Sequence, residues 1–358
     1  MPCPKTSRRF AVSCHRFSRS PFFKTTGDIS HDKRRNFTKS LTGAAILSSL
    51  GLPFQAASQS SLDTARILVG FPPGGTTDAL ARRIADKMRG GYANNVVVDN
   101  KPGAGGQIAI TTLRDATVDG TTMLLTPSSC LSIYPYTYPK LPYKLDDVAP
   151  VSVSCFFSHA FGVGPAVPTS VKNIKDFLAW SKLDATKANY GSPAAGSMPH
   201  MIAALLSKLS STDLKHIGYR GSAPGIQDLL GGQISAMSSP IGDYLPYVKA
   251  GRLRILAVSG TTRSPFAPEV PTFREQGYPI TVREWYGLFL PGKANAQAVR
   301  RAAAYLQLAL AQPDLVSSMA QIGVEVQSST PDVLASLLKA DAEEWRRLIK
   351  TVGFTAES

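Results

Sequence analysis

The sequence predicts an α/β fold in which parallel strands are covered by helices on both faces. Short apolar runs alternate with amphipathic segments along most of the chain, and this alternation is typical of repeated strand–helix units. Three loops rich in small residues, 72–78, 102–107 and 192–198, each precede a predicted helix. A length of 358 residues is enough for two domains once a leader is removed.

The first strand, loop and helix set the pattern for the rest. An apolar run from Ile67 is followed by two prolines and two glycines at 72–75, and then by Leu80, Ile84 and Met88, spaced four residues apart. This spacing places the three side chains on one face of a helix. The prolines stiffen the exit from the strand, while the glycines let the backbone pass close to another group.

The start of this helix is suited to an anion. Thr76 or Thr77 can cap it, and Asp78 lies in its first turn, where a carboxylate favours the positive end of the helix dipole. The first N–H groups of a helix lack intrahelical acceptors, so such a loop is a site for an anionic ligand. The alternative is an ordinary connection between a strand and a helix.

The later elements follow the same alternation, without internal repeats or low-complexity tracts. The segment 127–142, rich in proline and tyrosine, is predicted to be irregular. We predict strands over 96–98, 123–126, 151–155, 160–163, 188–191, 214–219, 233–237, 253–258, 280–290 and 324–327, and helices over 107–117, 171–182, 199–210, 222–230, 243–250, 295–312, 314–322 and 331–351.

Residues 1–58 are interpreted as a leader with a twin-arginine-type export signal. The run Lys33-Arg-Arg-Asn-Phe-Thr-Lys39 precedes an uncharged stretch over 40–57 that ends in small residues, which is the pattern of such signals. We expect cleavage near Ala56–Ser58 and a soluble periplasmic protein, because no later run of 18 apolar residues occurs. A basic tail, or a misassigned start of the chain, is the alternative.

The basic composition does not indicate a nucleic-acid partner. The net charge is +14, but residues 1–60 hold ten Lys and Arg against two Asp, and the remaining charges are scattered rather than clustered. Cys130 and Cys155 lie outside the leader and show no CxxC spacing, so we expect no metal site and no cofactor. Two buried thiols and one disulfide both remain open for this pair.

The motifs of common enzyme classes are absent, and we predict that the chain is not an enzyme. Ser192 lies between Gly and Pro rather than in a G-x-S-x-G elbow, and no P-loop occurs. Outside the leader the histidines are His159, His200 and His216, and His200 follows a small-residue loop in the first turn of a helix, where capping or packing is common. Turnover that is lost in His200→Ala would contradict this prediction. The three small-residue loops, with many backbone donors and few ionisable side chains, favour recognition of a small anion over its transformation.

A series of short motifs spread over about residues 64–353 resembles one known family. The chain is similar to the substrate-binding proteins of tripartite tricarboxylate transporters, the Bug/TctC family. The motifs are Phe71-Pro-Pro-Gly-Gly-Thr-Thr-Asp78, Val97-Val-Asp-Asn-Lys-Pro-Gly-Ala-Gly-Gly106, Asp119-Gly120, Tyr138-Pro-Lys-Leu-Pro-Tyr143, Ala149-Pro-Val-Ser152, Asn189-Tyr-Gly-Ser192, Tyr219-Arg-Gly-Ser-Ala-Pro224, Asp228-Leu-Leu-Gly-Gly-Gln233, Lys249-Ala-Gly251 and Pro271-Thr272.

The resemblance implies a periplasmic-binding-protein type II-like fold with two α/β lobes, a central ligand cleft and two crossover strands. Residues 62–159 and 284–358 would form lobe 1, and residues 160–283 would form lobe 2. The implied function is an exported, monomeric protein that captures a small carboxylate (a di- or tricarboxylate, an amino acid or an aromatic acid) for a membrane transporter. The alternative is a receptor that signals ligand occupancy to a membrane sensor kinase.

The resemblance also implies the residues that contact the ligand. Two stretches depart from the family pattern, 126–130 and Ser238-Ser-Pro240, so the identity of the carboxylate stays open. If Asp78 orients the ligand, Asp78→Ala should weaken binding at nearly constant stability, whereas a large loss of stability would mark a structural cap. The implied residues are Phe71, Gly74, Gly75, Thr76 and Asp78, with Ala104, Gly105 and Ser128 close by, and Ser192, Ala195, Gly196, Ser197 and His200 from the other lobe.

Overall fold

The computed structural model describes residues 62–353. The predicted leader over 1–58, with its cleavage near Ala56–Ser58, lies outside these residues. Within the described part, no helix is both long and apolar enough to cross a membrane.

The described residues form a mixed α/β structure with two sheets. The strands are β1 (Leu62–Val69), β2 (Ala93–Asn100), β3 (Thr122–Pro127), β4 (Val148–Phe157), β5 (His159–Val163), β6 (Asn189–Ser192), β7 (Lys215–Gly218), β8 (Ala236–Pro240), β9 (Arg254–Val258), β10 (Glu284–Pro291) and β11 (Glu325–Val326). The helices are α1 (Thr76–Met88), α2 (Gln107–Arg114), α3 (Ser129–Ser132), α4 (Tyr134–Thr137), α5 (Ile174–Ser181), α6 (Met198–Leu209), α7 (Ser222–Leu230), α8 (Leu245–Lys249), α9 (Ala296–Leu310), α10 (Pro313–Ala320) and α11 (Pro331–Val352).

The strand order separates the two sheets along the chain. The first sheet has the order β11-β4-β10-β3-β1-β2, and the second has the order β7-β6-β8-β5-β9. The chain leaves the first sheet after β4 and enters the second at β5, with only Ser158 between them, and β10 later returns to the first sheet. The lobe boundaries at 159/160 and 283/284 stay a prediction.

The prediction of parallel sheets is wrong for the strands at these transitions. Strands β1, β2 and β3 pair in parallel, as do β6, β7 and β8, because helices return the chain between them. In contrast, β10 is antiparallel to β3 and β4, and β5 is antiparallel to β8 and β9. These strands carry the chain from one sheet to the other, so both sheets are mixed.

Helix α1 packs as its spacing predicts. Leu80, Ile84 and Met88 are fully buried in a core that also contains residues of β1, β3 and α9. At about 25 cal/mol per Å² of apolar surface, burial of side chains of this size stabilises the fold by about 2 kcal/mol each. The segment 127–142 is not wholly irregular as predicted, because two single-turn helices, α3 and α4, lie within it.

The two cysteines outside the leader are free thiols. Cys130 and Cys155 are both buried and unbonded. Burial raises the pKa of the Cys130 thiol to about 12, and that of Cys155 well above its usual range. The open question between thiols and a disulfide is therefore answered in favour of thiols.

A hydrogen bond joins the long helix α11 to β10, and its carboxylate acceptor makes the free energy of unfolding depend on pH. Trp285 Nε1 donates to Asp341 Oδ2 at 2.6 Å. Burial raises the pKa of Asp341 to about 6, despite this hydrogen bond. Since the folded pKa exceeds the ordinary aspartate value, the stabilising contribution is complete at low pH and is lost as the pH rises through 6.

We therefore expect the contribution of Asp341 to the free energy of unfolding to fall by about 1 kcal/mol between pH 5 and pH 7. The buried His200 and His216 act in the opposite direction over this range, because burial lowers their pKa values. The contribution of Asp341 is therefore measured as the difference between the parent and Asp341→Asn, in which the amide oxygen still accepts from Trp285 but does not titrate. Urea denaturation at a series of pH values should show the parent losing about 1 kcal/mol relative to the variant from pH 5 to pH 7. A difference that does not change with pH would contradict this prediction.

Candidate functional site

A cavity that is partly open to solvent lies between the two sheets, with about 540 Å³ of empty space when the solvent at its mouth is included. Its walls combine proline and aromatic surfaces with hydroxyl groups, and one histidine and one glutamate are its ionisable side chains besides a tyrosine. No lysine or arginine is among the lining residues. These residues are Phe71, Pro72, Gly75, Thr76, Thr77, Pro127, Ser129, His159, Pro193, Ala194, Ser197, Pro199, Gly221, Ser222, Ala223, Pro240, Glu284 and Tyr286.

The N-terminus of α1 opens into this cavity. Gly75 occupies the N-cap in an extended conformation and offers no side chain to cap the helix. Thr76 and Thr77, the first two helical residues, line the cavity. Their N–H groups belong to the first turn, where no intrahelical acceptor exists. The predicted residues Phe71, Gly75 and Thr76 therefore surround a source of unpaired backbone donors.

Asp78 holds the loop and does not line the cavity. Its carboxylate accepts hydrogen bonds from Gly74 N (3.1 Å), Arg82 Nε (2.9 Å) and Asn100 Nδ2 (2.9 Å), and only 5% of its side chain is exposed. Burial alone would raise its pKa, but these hydrogen bonds outweigh burial and hold the pKa below its usual range. This geometry favours the structural cap among the two roles considered for Asp78.

The loop 102–107 reaches a neighbouring cavity rather than the central one. Ala104, Gly105 and Ala195 line an outer cavity that is open to solvent, and Phe71 borders both cavities. Close backbone packing fixes this arrangement, since a Cβ on Gly70 would lie only 2.6 Å from Cα of Gly106. Gly106 itself has φ of 98°, which favours glycine. Gly74, with Gly75 and Thr76, borders a third cavity.

The loop 192–198 contributes one predicted residue to the central cavity, Ser197. Ser192 is fully buried, and its hydroxyl contacts Ala194 O (3.0 Å) and His216 Nε2 (2.8 Å). Gly196 N donates to His200 Nδ1 at 2.9 Å. Ser192, Gly196 and His200 thus stabilise the conformation of the loop and do not line the central cavity.

The two histidines behind this loop are stacked, with ring centroids 3.6 Å apart. Burial lowers the pKa of His200 to about 3, with a further contribution from the charge of His216. Burial also lowers the pKa of His216 to about 4. Both rings are therefore neutral near pH 7, as expected for packed side chains.

Two ionisable residues of the cavity were not among the residues predicted from the sequence. His159 and Glu284 form a buried pair with Nε2 and Oε2 2.8 Å apart, at side-chain exposures of 1% and 3%. Glu284 Oε1 also accepts from Ser129 N at 3.1 Å. Ser128 is fully buried behind Ser129, which lines the cavity instead. The sequence feature that could have indicated this pair is Glu284 within the run 280–290, because a buried carboxylate requires a partner.

Contacts between elements of the two sheets close the walls of the cavity. Thr76 Oγ1 donates to Asp243 Oδ1 at 3.1 Å, and Tyr138 Oη donates to Ala195 O at 2.8 Å. Pro72 Cδ lies 2.9 Å from the position that a Cβ on Gly221 would occupy. Loops and helices attached to the two sheets are thus in direct contact around the cavity.

A model of the tripartite tricarboxylate transporter family receptor, TctC, matches residues 80–354. The chain belongs to the TctC family. A Pseudomonas sp. (strain P51) relative described as a UPF0065 protein in the tcbD-tcbE intergenic region is 35% identical over 285 residues, which are 79% of this chain and 84% of the relative. Protein BugT of Bordetella pertussis is 29% identical over 80% of this chain and 89% of its own.

Solved TctC-type proteins share the architecture of this receptor. The periplasmic binding protein BugD is 28% identical with a TM-score of 0.76, and the match covers 82% of this chain and 99% of BugD. MatC from Rhodopseudomonas palustris, solved with bound malate, is 27% identical with a TM-score of 0.74 over 80% and 99% of the two chains. An R. palustris protein solved with adipate is 25% identical with a TM-score of 0.77 over 82% and 98%. The periplasmic-binding-protein fold is thereby confirmed.

Proposed function

We propose that this TctC-family receptor is exported to the periplasm, binds a small carboxylate in the central cavity and delivers it to a tripartite tricarboxylate-type membrane transporter. The observation that carries the proposal is the uncapped N-terminus of α1, which opens into a cavity between two sheets. Gly75, Thr76 and Thr77 line that cavity beside Phe71 and the second-sheet residue Ser197.

A carboxylate suits this place for two physical reasons. Backbone N–H groups at the start of a helix are fixed donors, and hydrogen bonds to a charged acceptor contribute more than those to a neutral one. The positive end of the helix dipole adds a favourable interaction with an anion. The apolar walls exclude water and thereby strengthen these interactions.

The relatives support the ligand class but leave its identity open. MatC is described with malate and the other R. palustris protein with adipate, so structures with this fold accept dicarboxylates of different lengths. The walls here are short of charged groups, as expected for a ligand that depends mainly on backbone donors and shape.

Capture would proceed by closure of the predicted lobes around the ligand. The contacts of Thr76 with Asp243 and of Tyr138 with Ala195 join elements of the two sheets, so opening the cleft must break them. A hinge at the transitions near Ser158 and Glu284 is sufficient for this motion. Because the family consists of receptors, we propose binding without chemical change of the ligand.

Isothermal titration calorimetry with a panel of carboxylates tests this function. The panel contains malate, adipate, tricarboxylates, acidic amino acids and aromatic acids, each paired with its amide. We expect at least one acid to bind with micromolar affinity or better, and its amide to bind about 100-fold more weakly, because a neutral group loses the charge-assisted hydrogen bonds. Equal affinity for acid and amide, or no binding across the panel, would contradict the proposal.

A further inference from the structure

Two cationic side chains, Lys140 and Arg220, line the outer cavity. Lys140 lies in the connection that leads from α4 into β4 of the first sheet, and Arg220 follows β7 of the second sheet. Both belong to motifs found in the sequence, 138–143 and 219–224, but neither residue lines the central cavity. No aspartate or glutamate is among the described residues that line the outer cavity. The outer cavity therefore carries positive charge from both sheets.

Neither cation is neutralised by a neighbouring carboxylate. Both residues are exposed, and within residues 62–353 neither side chain takes part in an ion pair or a hydrogen bond. The exposed Arg82, in contrast, is paired with Asp78. An unpaired surface charge acts on ions in the adjoining solvent, over a distance of about 10 Å at 0.1 M ionic strength. Lys140 and Arg220 are thus available to attract an anion.

The outer cavity adjoins the central cavity. Pro72 lies between β1 and α1, and Gly221 immediately precedes α7. The two are in close contact, because a Cβ on Gly221 would lie 2.9 Å from Cδ of Pro72. Loops attached to different sheets thus form the boundary, and their separation would join the cavities. The residues that line both cavities are Phe71, Pro72, Pro193, Ala194 and Gly221.

The two cavities differ in charge. No lysine or arginine lines the central cavity, where Glu284 is paired with His159, and Asp243 accepts from Thr76 Oγ1 at its wall. The start of α1 favours a carboxylate only at short range, because the effect of the helix dipole falls off within the first turn. Attraction of an anion from solvent therefore depends mainly on the outer cavity.

We propose that the outer cavity is the entry site for the ligand, where Lys140 and Arg220 attract anions and favour acids with two or more negative charges over those with one. The attraction between two charges is proportional to each of them, so a doubly charged ligand gains twice as much. This inference rests on the proposed carboxylate-binding function. It assigns Lys140 and Arg220 to the rate of capture, while the start of α1 holds the bound carboxylate.

Stopped-flow tryptophan fluorescence of the full chain measures the rate constants, with adipate, malate and citrate as probes. Trp285 is a suitable reporter because it precedes Tyr286, which lines the central cavity. In Lys140→Gln/Arg220→Gln, at about 0.01 M ionic strength, we expect the association rate constant to fall about tenfold. The dissociation rate constant should stay within about twofold, because charges at the rim of a site act mainly on association. Calorimetry should give the same tenfold loss as an increase in Kd.

The charge of the ligand and the salt concentration provide two further readouts. The monoamide of adipate carries one negative charge instead of two. Its association rate constant should therefore fall only about threefold in the double variant, because half the attraction is at stake. At about 1 M NaCl, screening should make the parent and the variant equal.

Arg300→Gln/Lys339→Gln is the matched control. These residues are exposed, lie on α9 and α11 and line neither cavity, and the substitutions change the net charge by the same amount. The association rate constant should stay close to the parent value, which separates the charge of the outer cavity from that of the whole protein. Urea denaturation should show parent-like stability for both double variants, because the substituted side chains are exposed.

Two results would overturn the proposal. One is an association rate constant of Lys140→Gln/Arg220→Gln that matches the parent value or falls equally in the control. The other is a panel in which only acids with a single net negative charge bind. Both leave carboxylate binding intact, whereas the absence of any binder in the panel contradicts the proposed function itself.

Discussion

Gly75→Asp is expected to abolish carboxylate binding, with a loss of at least about 100-fold in affinity. The N-cap position has an extended conformation, φ −85° and ψ 171°, and an added Cβ would meet nothing within 4 Å. An aspartate there can therefore cap α1 with its own carboxylate. It would occupy the N–H groups proposed for the ligand and repel the ligand charge, at a cost of about 3 kcal/mol. Calorimetry with the tightest panel carboxylate measures the effect.

The same substitution should not harm the fold, since aspartate is a preferred capping residue and glycine is a weaker one. We expect the free energy of unfolding to stay within about 0.5 kcal/mol of the parent value or to rise. Gly75→Ala is the matched control, because it adds the Cβ without an acceptor, and its loss of affinity should be much smaller. If Gly75→Asp retained the parent affinity, the ligand would not use the start of α1.

Asp78→Ala is expected to lower the free energy of unfolding by about 2–4 kcal/mol, because it removes a buried acceptor and leaves its donors unpaired. Gly74 N loses its hydrogen-bond partner, and Asn100 Nδ2 loses one of its two, keeping Phe71 O at 3.0 Å. The loop 72–75 should then lose its fixed shape, so ligand affinity falls as an indirect effect. Urea denaturation measures the change.

Arg82→Ala removes the ion-pair partner of Asp78 and leaves the hydrogen bonds from Gly74 and Asn100 in place. The Arg82 side chain is 52% exposed, and such surface pairs contribute at most about 1 kcal/mol. The decrease in the free energy of unfolding should therefore be smaller for Arg82→Ala than for Asp78→Ala. The lowered pKa of Asp78 means that its contribution is complete above pH 4 and is lost as the pH falls further. A parent-like stability of Asp78→Ala combined with weak binding would instead identify Asp78 as a direct ligand contact.

Local features of the fold could be predicted from the sequence where local chemistry determines them. Helix α1 follows from the spacing of Leu80, Ile84 and Met88 and from the glycines before it, and α7 has the predicted bounds Ser222–Leu230. The direction of β5 and β10 could not be predicted from local pattern, because pairing between strands far apart in the chain determines it.

In the candidate site too, some features follow from local sequence and others only from the fold. Small-residue loops indicate backbone donors, but the prediction that Thr76 or Thr77 caps α1 is wrong, because the helix begins one residue earlier with Gly75 at the N-cap and no side-chain cap. The placement of Ala104, Gly105 and Ala195 in an outer cavity depends on how the two sheets meet. The pairing of His159 with Glu284 joins residues 125 positions apart, at the two transitions between the sheets, and only the folded arrangement reveals it.

A crystal structure of the complex with the tightest carboxylate of the panel tests the central claim most directly. The proposal predicts one carboxylate within hydrogen-bonding distance of the backbone N–H groups of Thr76 and Thr77, inside the cavity that Phe71 and Ser197 border. A ligand bound only in the outer cavity, or with its carboxylate away from the start of α1, would contradict it.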